Sequence, residues 1–137
     1  MSKQVHAVGI MFENELGEIL VLRRNKTRPE GETWGLVGGK IDLGETKEQA
    51  IVREVREEIG HQLDLSQMKY LKQYHWDRED LDITFDVFKV VTVKSAITPD
   101  LQIHEATEYS WSKPSDLYRQ SDLMVGLYPI LKDEYLI

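Results

Sequence analysis

Apolar and polar positions change period several times along this chain, and each change marks an element. Residues 5–13 (VHAVGIMFE) and 18–24 (EILVLRR) are apolar and β-branched, and the polar segment Asn14-Glu15-Leu16-Gly17 between them ends in a turn-type glycine. The pair predicts a β-hairpin. A loop through Pro29 and Gly31 leads to a short strand, Trp34-Gly35-Leu36-Val37, which runs into Gly38-Gly39. Residues 46–59 switch to a helical period. Thr46 with Gln49 three positions later forms a capping box, and Ile51, Val55 and Ile59 repeat at four-residue spacing behind Ala50. Gly60 stands where a left-handed helix cap is expected. Lys69–Trp76 and Ile83–Lys94 read as strands joined by the polar tip Asp77-Arg78-Glu79-Asp80, and Ile83, Phe85 and Val87 alternate with polar neighbours. Glu108–Trp111 is one more short strand. Ser115–Arg119 and Leu123–Tyr135 read as helices, the second challenged by Pro129. Strands around one strong central helix predict a mixed α/β or α+β layered domain.

Composition narrows the classes. The chain has 137 residues, the size of one ordinary domain, with no repeat and no linker-like stretch. Twenty-four acidic residues against 17 basic ones give a net charge of -7, which disfavours duplex nucleic acid as a partner. Cysteine is absent, which excludes disulfides, cysteine zinc sites and thiol catalysis. No apolar run reaches the roughly 20 residues that span a bilayer, so no membrane partner is expected. The start, Met1 to His6, lacks the pattern of a signal peptide. A cytoplasmic single domain over 1–137 is the expectation; a homodimer is allowed, and the oligomeric state stays open. The four histidines are scattered without zinc-site spacing, and no G-x-S-x-G, P-loop or G-x-G-x-x-G occurs.

The chemistry concentrates at residues 39–61. Glu54, Glu57 and Glu58 fall at i, i+3 and i+4 on the predicted helix, so they share a face distinct from the Ile51-Val55-Ile59 stripe. Three like charges this close repel. Arg53 and Arg56 offset part of that, and a hard divalent cation, Mg²⁺ or Mn²⁺, would offset more. The Gly38-Gly39 pair lets backbone approach closely, so a carbonyl there could join the ligands. Glu45 sits at the helix mouth, where the dipole favours an anion. A glutamate-rich helix face alone is usually solvated surface. Joint spacing decides otherwise here. The stretch fits G-x5-E-x7-R-E-U-x-E-E-x-G-U, with U apolar, through Gly39, Glu45, Arg53, Glu54, Glu57, Glu58 and Gly60. A chance match is on the order of 10⁻⁸ to 10⁻⁹ per start point.

On these residues the chain resembles the Nudix hydrolase family. The VGIMF…GEILVLRR opening, Trp34…Gly38-Gly39 and the Glu108-x-x-Trp111 pattern are similar to the single-domain MutT-type members. His61 and Val37 depart from the family's aliphatic residue and proline, and neither is a carboxylate. The resemblance implies an α/β/α sandwich with a mixed sheet, and hydrolysis of a nucleoside diphosphate linked to another moiety with Mg²⁺ or Mn²⁺. It implies Glu54, Glu57 and Glu58 as metal ligands with the Gly39 carbonyl, Arg53 as the residue orienting them, and Glu45 as a structural or outer box acid. Glu105, six residues before Trp111, is similar to a further metal-binding glutamate. The general base is left between Glu54, Glu57 and a glutamate outside the box.

A nucleoside triphosphate, such as an oxidised dGTP, is the expected substrate, giving monophosphate and pyrophosphate. ADP-ribose and dinucleoside polyphosphates are the alternatives. A nucleotide sensor that does not cleave is disfavoured by the intact box, and an isoprenyl diphosphate isomerase by the lack of cysteine. Arg23 or Arg24 and Lys40 are the candidates for gripping substrate phosphates, whereas Lys26 and Arg28 read as solvated loop. Trp34, Tyr74, Trp76, Phe85 and Trp111 read as core.

Overall fold

A computed structural model describes residues 3–137; Met1 and Ser2, the first two residues of the stretch read against a leader, lie outside the described residues. Seven strands and three helices follow one another as β1 (Lys3–Glu13), β2 (Ile19–Arg24), β3 (Trp34–Gly35), β4 (Val37–Lys40), α1 (Lys47–Ile59), β5 (Lys69–Arg78), β6 (Leu81–Val91), β7 (Ala106–Ser112), α2 (Pro114–Tyr118) and α3 (Leu127–Tyr135). The strands form one sheet in the order β3-β2-β1-β6-β5, with β4 also on β1 and β7 also on β2. β1 and β6 run parallel from Lys3↔Leu81 to Glu13↔Val91, whereas every other pairing is antiparallel. The sheet is therefore mixed, as expected.

Alternation along the strands supplies two cores. Val8, Ile10 and Phe12 of β1, Leu20 and Leu22 of β2 and Phe88 and Val90 of β6 pack with Ala50, Ile51, Val55 and Ile59 of α1. Met11, Ile19, Val21 and Val87 point the other way, onto Leu117 of α2 and Leu127, Ile130 and Leu131 of α3. A strand covered on both faces must be apolar at consecutive positions, which is why Val8 through Phe12 reads as an unbroken buried run.

The hairpin, the central helix and its caps sit where the pattern places them. Gly17 turns at φ 74°, the Thr46 hydroxyl accepts from the Gln49 N–H, and Gly60 caps α1 at φ 67°. Several boundaries differ. The segment 34–37 is two strands broken at Leu36, because β3 pairs with β2 while β4 crosses to β1. The β6 strand begins at Leu81, leaving a two-residue tip, and Lys94 falls in a 3-10 turn. The last helix starts at Leu127, so Pro129 lies in its first turn, where a backbone N–H has no helical partner to lose.

The core aromatics are found as expected. Trp34, Tyr74 and Phe85 pack against the second cluster, Trp111 against the first, and Trp76 meets Phe85 edge to face at 5.6 Å. The ring of His61 likewise packs edge-on to Phe12 at 5.8 Å.

Candidate functional site

Strand β4 and helix α1 together build the site. β4 is held flat against β1 through Gly9↔Gly38 and Val8↔Gly39, and a side chain on Gly38 would run into the Val8 carbonyl. Gly39 is constrained from the other side: a Cβ there would lie 2.6 Å from the Glu54 carboxylate. The glycine pair thus lets strand, strand and glutamate stack without intervening side chains. After Lys40 the chain turns through Asp42 and Glu45, whose carboxylate accepts from the Asp42 N–H at 2.8 Å, and enters α1 at Thr46.

Arg53 organises the acids. Its Nε and Nη2 donate to the two oxygens of Glu45 at 2.7 and 2.9 Å, Nη1 donates to Glu54 at 2.7 Å and Glu57 at 3.2 Å, and Nη2 also reaches the Lys40 carbonyl at 2.9 Å. This forked geometry fits a planar guanidinium and no ammonium. The Arg53 hydrogen bond, with that from the Asp42 N–H, holds the Glu45 carboxyl down to about 2. Glu45 in turn pushes Arg53 further above its already high range.

Glu54 and Glu58 are different. Burial pushes Glu54 up, and the Arg53 hydrogen bond only partly resists. Glu58 is pushed up to about 8 by burial, against a single backbone hydrogen bond from the Gly38 N–H at 2.6 Å, with Glu54 and Glu105 adding repulsion. Glu57 is half exposed. The three carboxylates are thus not displayed side by side on an open helix face. Two are tucked beneath β4, and Arg53 joins Glu54 to Glu57. As they stand, no three Asp, Glu or His side chains among the described residues converge into a metal cage. The donor set nonetheless fits a hard divalent ion. It offers only oxygens, it gathers partly buried carboxyl groups whose ionisation burial opposes, and the bare Gly39 backbone lies directly beside Glu54.

Glu105 comes from the loop before β7 and is near enough to act on both Glu54 and Glu58. Arg24 also approaches Glu58, and its Nε donates to the Pro29 carbonyl at 2.8 Å. Burial and neighbouring Arg28 lower the Arg24 pKa from its usual value. Arg23 separates from it. That side chain pairs with Glu108 at 3.1 Å and is not drawn to the α1 acids. The two arginines and Lys26 line a shallow depression of about 200 Å³ with Asn25, Glu32 and Thr107. Lys40 is exposed, and its backbone carbonyl, not its ammonium, joins the Arg53 network.

Arg28, read as solvated loop, does lie in a loop and is one-third exposed, but it is ion-paired. Its Nη1 lies 3.3 Å from a Glu105 oxygen, and it acts on Glu58 and Arg24. Four bases in six positions are visible in sequence, but spacing in a loop without a period cannot say which folds back.

A family profile described as the NUDIX domain matches residues 3–133. This chain belongs to the Nudix family. Among relatives, the 8-oxo-dGTP diphosphatase of Proteus vulgaris is 31% identical over 96 residues, covering 70% of this chain and 84% of that protein. The 8-oxo-dGTP diphosphatase of Escherichia coli strain K12 is 47% identical over 60 residues, or 44% of this chain and 46% of that protein. The MutT NUDIX hydrolase from Burkholderia pseudomallei superposes with a TM-score of 0.82 at 23% identity, covering 97% of this chain and 99% of that one, which is a likeness of fold. Nudix hydrolases generally need a divalent metal. Among the described residues, no helix is long and apolar enough to cross a membrane.

Proposed function

We propose that this chain is a Nudix pyrophosphohydrolase that cleaves a nucleoside triphosphate, ordinary or oxidised, to the monophosphate and pyrophosphate. One observation carries the reading. Glu54, packed against the Gly39 backbone, and Glu58, held by Gly38, are two buried and under-compensated carboxylates beside a strand that no side chain obstructs. Such an arrangement costs stability unless it serves a cation.

In this reading Glu54, Glu57 and Glu58, with the Gly39 carbonyl and Glu105, hold Mg²⁺, with Mn²⁺ as a substitute. The bound ion neutralises charge that develops on the phosphoryl oxygens. Arg53 fixes the carboxylate orientations through Glu45 and the Lys40 carbonyl. Glu54 or Glu57 orients the attacking water and accepts its proton. Arg24 and Lys40 are the candidates for gripping a polyphosphate in this reading, and Arg23 would have to leave Glu108 to join them. A heterocyclic base has a candidate seat in the apolar cavity lined by Leu36, Trp76, Phe85, Met124, Gly126, Leu127 and Ile130. There the Trp76 Nε1–H is buried without a partner, a donor for an acceptor edge.

The same reading treats 1–137 as one Nudix domain with its box at 39–61, working in the cytoplasm on a small nucleotide without nucleic acid or membrane.

The deciding experiment is a panel of nucleoside triphosphates, oxidised dGTP, ADP-ribose and dinucleoside polyphosphates with Mg²⁺, with products identified. Monophosphate plus pyrophosphate from a triphosphate is expected. Binding without turnover on every member would make the domain a sensor instead.

A further inference from the structure

The acidic site has a cation on its rim that the reaction scheme above leaves unused. Glu45, Glu54, Glu57, Glu58 and Glu105 together would repel the several negative charges of a polyphosphate, so a grip on that substrate needs a free positive group. Arg53 cannot supply one. Its guanidinium is spent on Glu45, Glu54, Glu57 and the Lys40 carbonyl. Arg24 is half-buried and has its Nε on the Pro29 carbonyl. Lys40 is exposed but offers an ammonium and no planar fork, and Arg28 differs from all three. Among the described residues its single ion-pair partner is Glu105, at 3.3 Å, and both side chains remain about one-third exposed, at 33% and 31%.

The pair is also preset by backbone. The Asn25 N–H donates to the Glu105 carbonyl at 2.9 Å, and the Asn25 amide donates to the Ile103 carbonyl at 2.8 Å. The same side chain accepts from the Thr27 N–H and hydroxyl at 3.0 Å, and the Arg28 N–H closes on the Asn25 carbonyl at 3.0 Å. One asparagine therefore stitches the loop that carries Arg28 to the loop that carries Glu105. The stretch from 25 to 33 is held at its far side too, by Glu30, which accepts from Arg78 at 2.6 Å and from the Val125 N–H at 3.0 Å. A guanidinium on a fixed loop, beside Glu58 and with one exchangeable partner, is built to change hands.

We propose that Arg28 is a substrate-positioning residue whose guanidinium, parked on Glu105 at the rim of the acidic site, transfers to the substrate's phosphates as Glu105 turns to a divalent cation. This rests on the pyrophosphohydrolase reading and adds to it an exchange between two ionic partners. Free Arg28 and a cation then compete for one carboxylate, whereas a bound phosphate relieves that competition. Divalent ion and nucleotide should therefore bind with positive cooperativity that passes through this side chain. The planar fork matters, because it meets two phosphate oxygens at once and an ammonium meets one.

The test uses the full chain and two variants, Arg28→Ala and Arg28→Lys. Mn²⁺ alone is titrated first, by calorimetry, without nucleotide and without turnover. Arg28→Ala should bind Mn²⁺ about threefold or more tighter than the parent. Steady-state kinetics on the triphosphate that the panel selects come second. Arg28→Ala should raise KM about tenfold or more, far more than it lowers kcat, and Arg28→Lys should fall between Arg28→Ala and the parent. Unchanged Mn²⁺ affinity together with unchanged KM in Arg28→Ala overturns the proposal. So does Arg28→Lys behaving like the parent in both measurements. A parent that binds Mn²⁺ but cleaves nothing overturns the enzymatic reading instead, while the Mn²⁺ comparison between parent and variant still decides the exchange at Glu105.

Discussion

Asp86 of β6 and Glu58 of α1 are both buried carboxylates, at 2% and 7% exposure. Their surroundings are opposite. Burial alone would raise Asp86, but Tyr70 at 2.6 Å, His6 at 2.5 Å and Gln73 at 3.2 Å surround it with donors, and it is held below its ordinary value. Tyr70 is raised to about 12, by burial first and by this same bond. Glu58 has one backbone N–H, two acidic neighbours and only the more distant charge of Arg28 in its favour, and burial drives it up to about 8. The first acid ties β1, β5 and β6 together and has its charge satisfied. The second is left in deficit where a cation can be received. Burial of an acid therefore says little about function until its partners are counted.

The contrast can be broken most severely through activity. Glu57→Gln or Glu54→Gln should lower kcat at least about 10²-fold while the fold survives. A kcat within a few-fold of the parent would move the chemistry elsewhere.

Stability separates the pair next. Removing Asp86 takes away the acceptor that the exposed residues Tyr70, His6 and Gln73 share, and water can replace it in part, so Asp86→Ala should cost about 1–2 kcal/mol in a denaturant titration. Glu58→Gln should do the reverse in chelator. The folded protein keeps the Glu58 proton up to about pH 8, whereas the unfolded chain releases it near pH 4.5. The native state then binds more protons across that window, and stability falls as pH rises from about 4.5 to 8. Glu58→Gln keeps an acceptor for Gly38 and should flatten that slope, with a gain above pH 8 of at most ~5 kcal/mol. Glu45, held down to about 2, has the opposite sign: its contribution is complete above about pH 4.5 and is lost as pH falls toward 2. A chelated protein whose stability did not decline between pH 5 and 8 would show that Glu58 is compensated after all.

The smallest effect is the most direct. Mg²⁺ at about ten times its Kd should add ~1.4 kcal/mol to the folded state and raise Tm by a few degrees. Glu58→Gln should reduce that shift, whereas Asp86→Asn should leave it intact. Equal loss in both variants would erase the distinction between the two acids.

Much of the molecule was legible in its residue order because the deciding signals are local. A hairpin turn at Gly17, a capping box at Thr46 and Gln49, and an apolar stripe repeating every four residues each act within one turn or one helix. The box glutamates are legible for the same reason, since helical spacing fixes their relative positions. Where the alternation failed to give boundaries, partner choice had intervened. The break at Leu36 exists because β3 and β4 pair with different strands.

The sequence by itself determined the central helix, its caps, the two sandwiching cores in outline and the family to which the box belongs. Only the tertiary structure decided that Glu54 and Glu58 are buried while Glu57 is not, that Asp86 is hydrogen-bonded by residues 13 to 80 positions away, and that Arg28, not Arg23, pairs with Glu105 beside the α1 acids. The reason is physical. Spacing along a helix sets which groups share a face, but charge, burial and partnership depend on what other segments bring within a few ångströms, and a loop has no period from which to read that.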